Sequence, residues 1–204
     1  KIVDLLAKDY DFTVRFNGGD NAGHTVIVKD KKLALHILPS GVFYTEKIKV
    51  IGNGCVVNPE TILEEIQNLK NAGIEPKNIF LSDRANLILP WHKVLDGIEE
   101  KSNAIGTTKK GIGPTYCDKA QRKYSVRAGD ILYCENLQEK LKDIADAKQK
   151  LVKYFGENAE FDCADIYNKI QKVNETVKIV DTCYLLNKAI KENKNILFEG
   201  AQGT

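Results

Sequence analysis

The 204-residue chain contains no methionine, no C-x-x-C pair and no low-complexity tract. Its five cysteines (Cys55, Cys117, Cys134, Cys163 and Cys183) are odd in number and widely scattered, which excludes a paired disulfide framework and points to reduced thiols in a cytoplasmic protein. No apolar run approaches the roughly 18 residues of a membrane span, and Lys1–Tyr10 lacks a signal-peptide pattern, so neither membrane insertion nor export is expected. A strong charge of either sign is also missing. Lys and Arg number 30 against 28 Asp and Glu, so there is no global attraction to nucleic acid or membrane, and any basic site must be local.

The chain opens on an apolar helical pattern, Ile2-Val3-Asp4-Leu5-Leu6-Ala7, with no capping residues before it, and stops just past the strand-like Asn195–Phe198. We therefore expect a polypeptide incomplete at both ends. Thr13–Phe16, Thr25–Val28, Leu33–Leu38 and Lys49–Ile51 read as strands, the last ending in Gly52-Asn53-Gly54. The polar Lys29–Lys32 connection makes Thr25–Val28 and Leu33–Leu38 an antiparallel hairpin. Asn58 and Pro59 open a helix with Ile62, Leu63, Ile66 and Leu69 on one stripe, closed by Gly73. Asn78–Ser82 is a strand and Pro90–Lys101 a helix. This alternation predicts an α/β fold with a largely parallel central sheet and flanking helices. Leu137–Phe155 and Ala164–Lys191 read as two amphipathic surface helices. No internal boundary is visible, so residues 1–204 form one domain.

Chemistry concentrates in glycine-rich segments. Gly111–Arg122 joins two glycines and Pro114 to Lys119 and Arg122, which share a face if a helix begins there; backbone N–H groups and cations together suit an anion. A tight turn followed by a solvated basic helix is the plain alternative. Asn17–Thr25 (Asn-Gly-Gly-Asp-Asn-Ala-Gly-His-Thr) brings backbone close to a ligand and adds the side chains of Asn21, His24 and Thr25. Ala104–Gly111 and Glu199–Thr204 share the style. In an open α/β sheet such loops gather beyond the carboxyl ends of strands, which predicts one nucleotide-sized pocket.

Four of these motifs, in order, resemble adenylosuccinate synthetase: Asn21-Ala22-Gly23-His24-Thr25, Ile105-Gly106-Thr107-Thr108, Gly111-Ile112-Gly113-Pro114 with Tyr116, Lys119 and Arg122, and Phe198–Thr204. The resemblance runs along the whole chain, although family members are about twice as long. It implies a P-loop-like GTP-dependent ligase fold, incomplete at both ends, from an enzyme that joins IMP and L-aspartate using GTP and Mg²⁺ in purine biosynthesis. It implies His24 as the catalytic histidine, with Asn21, Ala22, Gly23, His24, Thr108, Arg122 and Gln202 at IMP. Lys1, Gly23, His24 and Thr25 fall at the GTP phosphates, and the Gly23 carbonyl at Mg²⁺. Arg122 matches an arginine that reaches the IMP phosphate of the other subunit in a homodimer, with Lys119 in support and Arg127 as a reinforcing cation. His36 and His92 match no assigned chemistry and are expected to be structural.

The resemblance also has gaps. Only the final lysine of the family's Gly-Asp-Glu-Gly-Lys-Gly-Lys loop appears, as Lys1, and the aspartate of that loop is the family's catalytic base. The residues that bind L-aspartate and guanine likewise have no counterpart here. Residues 1–204 alone are therefore expected to be inactive. A non-catalytic nucleotide-binding module or truncated paralogue is the alternative reading.

Overall fold

The computed structural model describes residues 2–28, 31–103 and 106–202. Its elements follow the order α1 (Ile2–Ala7), β1 (Phe12–Gly18), β2 (His24–Val28), β3 (Lys31–Leu35), β4 (Ile48–Val57), α2 (Pro59–Asn71), β5 (Ile79–Ser82), β6 (Asn86–Leu87), α3 (Pro90–Asn103), α4 (Ile112–Gln121), α5 (Asp130–Tyr133), α6 (Leu137–Tyr154), α7 (Cys163–Thr176), β7 (Lys178–Val180), α8 (Thr182–Lys191) and β8 (Ile196–Glu199). Five strands lie in the order β7-β5-β4-β1-β8, each pair parallel, and β6 pairs with the far end of β4. β2 and β3 form a separate antiparallel hairpin.

The apolar stripe of α2 explains its seat. Ile62, Ile66 and Leu69 are buried on the sheet beside Leu141 and Ile144 of α6 and Ile166, Ile170 and Val173 of α7. Asn58 caps α2 by accepting the Glu60 N–H at 3.1 Å, and Pro59 occupies the first turn. The opposite sheet face is thinner: Phe12, Val14 and Val50 pack against Ala189, Leu185 and Leu186 of α8. Each fully buried aliphatic side chain contributes about 1.5–3 kcal/mol of transfer free energy, so the α2–α6–α7 side dominates stability. No described helix is long and apolar enough to cross a membrane.

Three expectations change. The segment read as one helix over Ala164–Lys191 is α7, β7 and α8. The β-branched Val177, Ile179 and Val180 favour extension, β7 pairs with β5, and Asp181 starts α8 by accepting the Tyr184 N–H at 2.9 Å. Gly52-Asn53-Gly54 does not end its strand but stays inside β4. It faces an irregularity in β1 between Arg15 and Asn17, where a side chain on Gly54 would sit 2.2 Å from the Phe16 carbonyl oxygen. The Leu33–Leu38 strand stops at Leu35, because the next N–H groups leave the hairpin for the buried Glu65 carboxylate. His36 N–H donates to Oε1, Ile37 N–H to Oε1 at 3.1 Å and Leu38 N–H to Oε2 at 3.0 Å.

Candidate functional site

β1 and β8 are neighbours, so the loops that follow them leave the same edge of the sheet. Gly18 takes φ +79°, and a Cβ there would meet that of Ala201 at 2.4 Å, so only glycine lets the two loops close on each other. Ala201 N–H donates to Asn17 Oδ1 at 3.1 Å, and Glu199 accepts from the Ser40 N–H and hydroxyl, both at 2.8 Å. Gly19 lies under Ile112, the first residue of α4, whose Cδ1 is 2.4 Å from where a Cβ would stand. Thus the β1 loop, the β8 loop and the start of α4 converge beyond the carboxyl end of β1.

Buried polar groups hold that loop. Arg15 donates to the Gly19 carbonyl at 2.6 Å and also to the His36 carbonyl. Asp20 Oδ2 accepts from Thr61 Oγ1 at 2.7 Å and Asn58 Nδ2 at 3.4 Å, which ties the loop to the start of α2. Lys110 Nζ donates to the Asp20 carbonyl at 2.6 Å and brings in the segment that carries Thr108. In that segment the Gly106 and Thr107 N–H groups donate to the Glu100 carboxylate at 3.0 and 2.9 Å.

α4 is oriented by its own contacts. The Gly111 N–H, expected to face an anion, is taken by the buried Asp96 carboxylate at 2.7 Å. Tyr116 donates its hydroxyl to the Gly54 carbonyl at 2.8 Å, and burial pushes this phenol up, keeping it a neutral donor. Lys119 donates to the Asn53 carbonyl at 3.1 Å, whereas Lys110, like Arg15, contacts the glycine loop itself. Arg122 does not continue the Lys119 face. The helix ends at Gln121, and Arg122 turns to φ +66°, ψ −38°, a conformation that costs an ordinary residue about 1–3 kcal/mol.

Asn21 and Gly23 are exposed in the β1 loop and Ala22 is half-buried there. The His36 ring covers Gly23, with Nε2 2.9 Å from where a Cβ would stand. The His24 backbone opens β2, but its side chain lies outside the described residues; Thr25 follows it, exposed. Thr108 and Gln202 are exposed, on the Lys110 segment and the β8 loop. Lys1, Ala104, Ile105, Gly203 and Thr204 lie outside the described residues. Arg127 is exposed, and its N–H donates to Asp130 Oδ2 at 2.9 Å. Ten residues of helical rise, about 15 Å, separate Arg122 from Ile112, the residue that covers Gly19.

His92 is structural, as anticipated. It is buried, its Nδ1 accepts the Leu89 N–H at 2.9 Å, and its Nε2 meets Asp118 at 3.0 Å. Sequence reasoning gave no role to Arg15, Asp20, Asp96 or Lys110. Lys110 carried a signal, a cation beside Gly111; the other three are fixed by partners that only the folded chain brings near. Among the described residues no group of three His, Cys, Asp or Glu side chains is placed to hold a metal ion. A magnesium ion bound largely through phosphates and water needs no such cage, and the exposed Gly23 offers one hard carbonyl oxygen compatible with it.

Fold and loops together define a parallel α/β protein that presents glycine-rich loops at the carboxyl edge of its sheet. Residues 1–204 match the family model for adenylosuccinate synthetase. The chain is 45% identical over 212 aligned positions to adenylosuccinate synthetase of Clostridium botulinum (strain 657 / Type Ba4), covering 100% of this chain and 49% of that protein. It is 48% identical over 213 positions to that of Clostridium kluyveri, again covering 100% and 49%. The structure of fully ligated adenylosuccinate synthetase from Plasmodium falciparum superposes with a TM-score of 0.87 at 36% identity, over 99% of this chain and 48% of that one. A cyanophage S-2L succinoaminodeoxyadenylate synthetase, 18% identical with a TM-score of 0.60 over 97% of this chain and 45% of that one, shares the fold. The chain belongs to the adenylosuccinate synthetase family and spans about half the length of the curated relatives it matches.

Proposed function

We propose that this chain carries the IMP side of a ligase that joins IMP to L-aspartate at the expense of GTP, with Mg²⁺. The observation that carries the reading is the convergence of the β1 loop, the β8 loop and the start of α4, with Lys110 bound to the Asp20 carbonyl; the reading assigns Asn21–His24, Thr108 and Gln202, which lie on those segments, to IMP. In this reading N1 of the purine gives its proton to a general base, the 6-oxygen attacks the γ-phosphorus and GDP departs. The aspartate amine then adds at C6, and phosphate leaves with the former 6-oxygen. His24 donates to the phosphoryl oxygens as charge develops, a task suited to an imidazole titrating near neutrality. Gly23, His24 and Thr25 follow the GTP phosphates, with Lys1 beside them. Thr108 and Gln202 hydrogen-bond IMP as neutral groups. Bound Mg²⁺ supplies charge neutralisation at the phosphates, with Gly23 the residue that offers it oxygen.

Arg122 serves the IMP phosphate of a second subunit in a homodimer, where a guanidinium fork binds phosphate bidentately. Its distance along α4 from the β1 loop of its own chain supports that assignment. The 204 residues expressed alone are expected to release no phosphate from GTP with IMP and aspartate, because they span about half of each relative. The test is adenylosuccinate formation by the intact gene product. The proposal expects turnover that requires all three substrates, and a His24→Ala variant slowed about 10²–10⁴-fold. No product from the intact protein, or an undiminished His24→Ala variant, overturns it.

A further inference from the structure

A buried cluster of titratable groups has no part in the chemistry above. His92 of α3, Asp118 of α4 and Lys148 of α6 are 1%, 3% and 5% exposed. Because His92 Nδ1 accepts the Leu89 N–H, the ring proton sits on Nε2 and is donated to Asp118 Oδ2 at 3.0 Å. Lys148 Nζ donates to Asp118 Oδ1 at 2.6 Å. Burial pushes His92 down, which keeps it neutral and leaves Asp118 and Lys148 as the ion pair. Burying such a pair gains little stability over well-packed apolar side chains, so stability alone gives no reason for it.

Its location gives one. The Asp118 carbonyl accepts the Arg122 N–H at 2.8 Å, the bond that closes α4. The Lys148 ammonium also lies 4.9 Å from the centroid of the Tyr124 ring. One buried cation thus holds the chain four residues before Arg122 and two residues after it. The turn between is bound further by Ser125 N–H to the Arg122 carbonyl at 3.3 Å. In a continued helix Arg122 would extend along the Lys119 face; the positive-φ turn, closed by Lys123 N–H to the Gln121 carbonyl at 2.8 Å, takes it off that face.

We infer that Lys148, acting through Asp118 and Tyr124, is a positioning residue that fixes the positive-φ turn at Arg122 and so pre-aims its guanidinium at the nucleotide phosphate. The inference rests on the reading of Arg122 given above. Fixing the backbone beforehand lowers the ordering cost that phosphate binding would otherwise carry.

The test uses the intact protein as wild type, Lys148→Met, Lys148→Arg, Tyr124→Leu and Arg122→Ala, plus Lys148→Met combined with Arg122→Ala. Lys148→Met should raise KM for IMP about tenfold with kcat at saturating IMP nearly unchanged, the signature of lost uniform binding. Lys148→Arg should restore part of the loss. Tyr124→Leu leaves the buried ion pair in place and should give a smaller rise of the same kind, so it decides the matter if Lys148→Met fails to fold. In the Arg122→Ala background, Lys148→Met should add nothing to KM for IMP. An unchanged KM in folded Lys148→Met, or in Tyr124→Leu if Lys148→Met fails to fold, overturns the inference. So does a rise that persists in the Arg122→Ala background, which would mark a general packing effect. An unchanged KM in Arg122→Ala alone overturns the reading of Arg122 itself, and the inference with it.

Discussion

Gly18 concentrates two demands in one residue: a positive φ of +79° and an α-carbon pressed against Ala201. A methyl group there meets both the strain and the clash, so Gly18→Ala should lose about 1–3 kcal/mol of stability by urea denaturation. It should also loosen the Asn17–Ala201 hydrogen bond that joins the two loops. A variant as stable as the parent would show that the loops are not packed as described. The run of glycine, Asn21 and His24 marked this loop in the sequence because glycine spacing reports directly on close backbone approach. Arg15 gave no such warning. Its buried guanidinium belongs to an alternating strand, and its acceptors at Gly19 and His36 become neighbours only after the hairpin has folded. Asp96 was equally silent, since its partner, Gly111, lies across the α3–α4 connection.

Among the elements, α2 is tied to α3 and α7 through Glu60, which accepts from Lys93 at 2.8 Å and Lys169 at 2.6 Å. Those bonds, Lys169 first, pull the carboxyl from its ordinary 4.5 down to about 2. A depressed folded-state pKa means the contribution is complete above pH about 4.5 and is lost as pH falls through about 2. Denaturation followed against pH should therefore show a shallower acid limb in Glu60→Gln than in the parent. Equal limbs would mean these half-exposed pairs contribute nothing, as many surface pairs do. α2 was legible because Asn58, Pro59 and the Ile62–Leu69 stripe all agree. β7 was not. It is a three-residue edge strand, too short to show a period of two, and its apolar residues fall in step with the helices on either side.

For the whole molecule, the proposal that Arg122 serves a second subunit predicts that the two halves of the site can be supplied by different chains. In a two-fold dimer, a His24→Ala subunit paired with an Arg122→Ala subunit has one doubly damaged site and one intact site. At IMP concentrations too low to serve Arg122→Ala, random mixing of the two full-length variants should then recover about a quarter of wild-type activity. Confirmed mixed dimers with no recovered activity would place Arg122 in the site of its own chain.

The central claim is that this chain's loops hold IMP while its 6-oxygen takes a phosphoryl group. Its most direct test is isotope transfer: the intact protein is given IMP labelled with ¹⁸O at the 6-position, together with GTP, L-aspartate and Mg²⁺, and the released phosphate is analysed by mass. Each phosphate released should carry one ¹⁸O from the purine. Unlabelled phosphate formed alongside adenylosuccinate would contradict it.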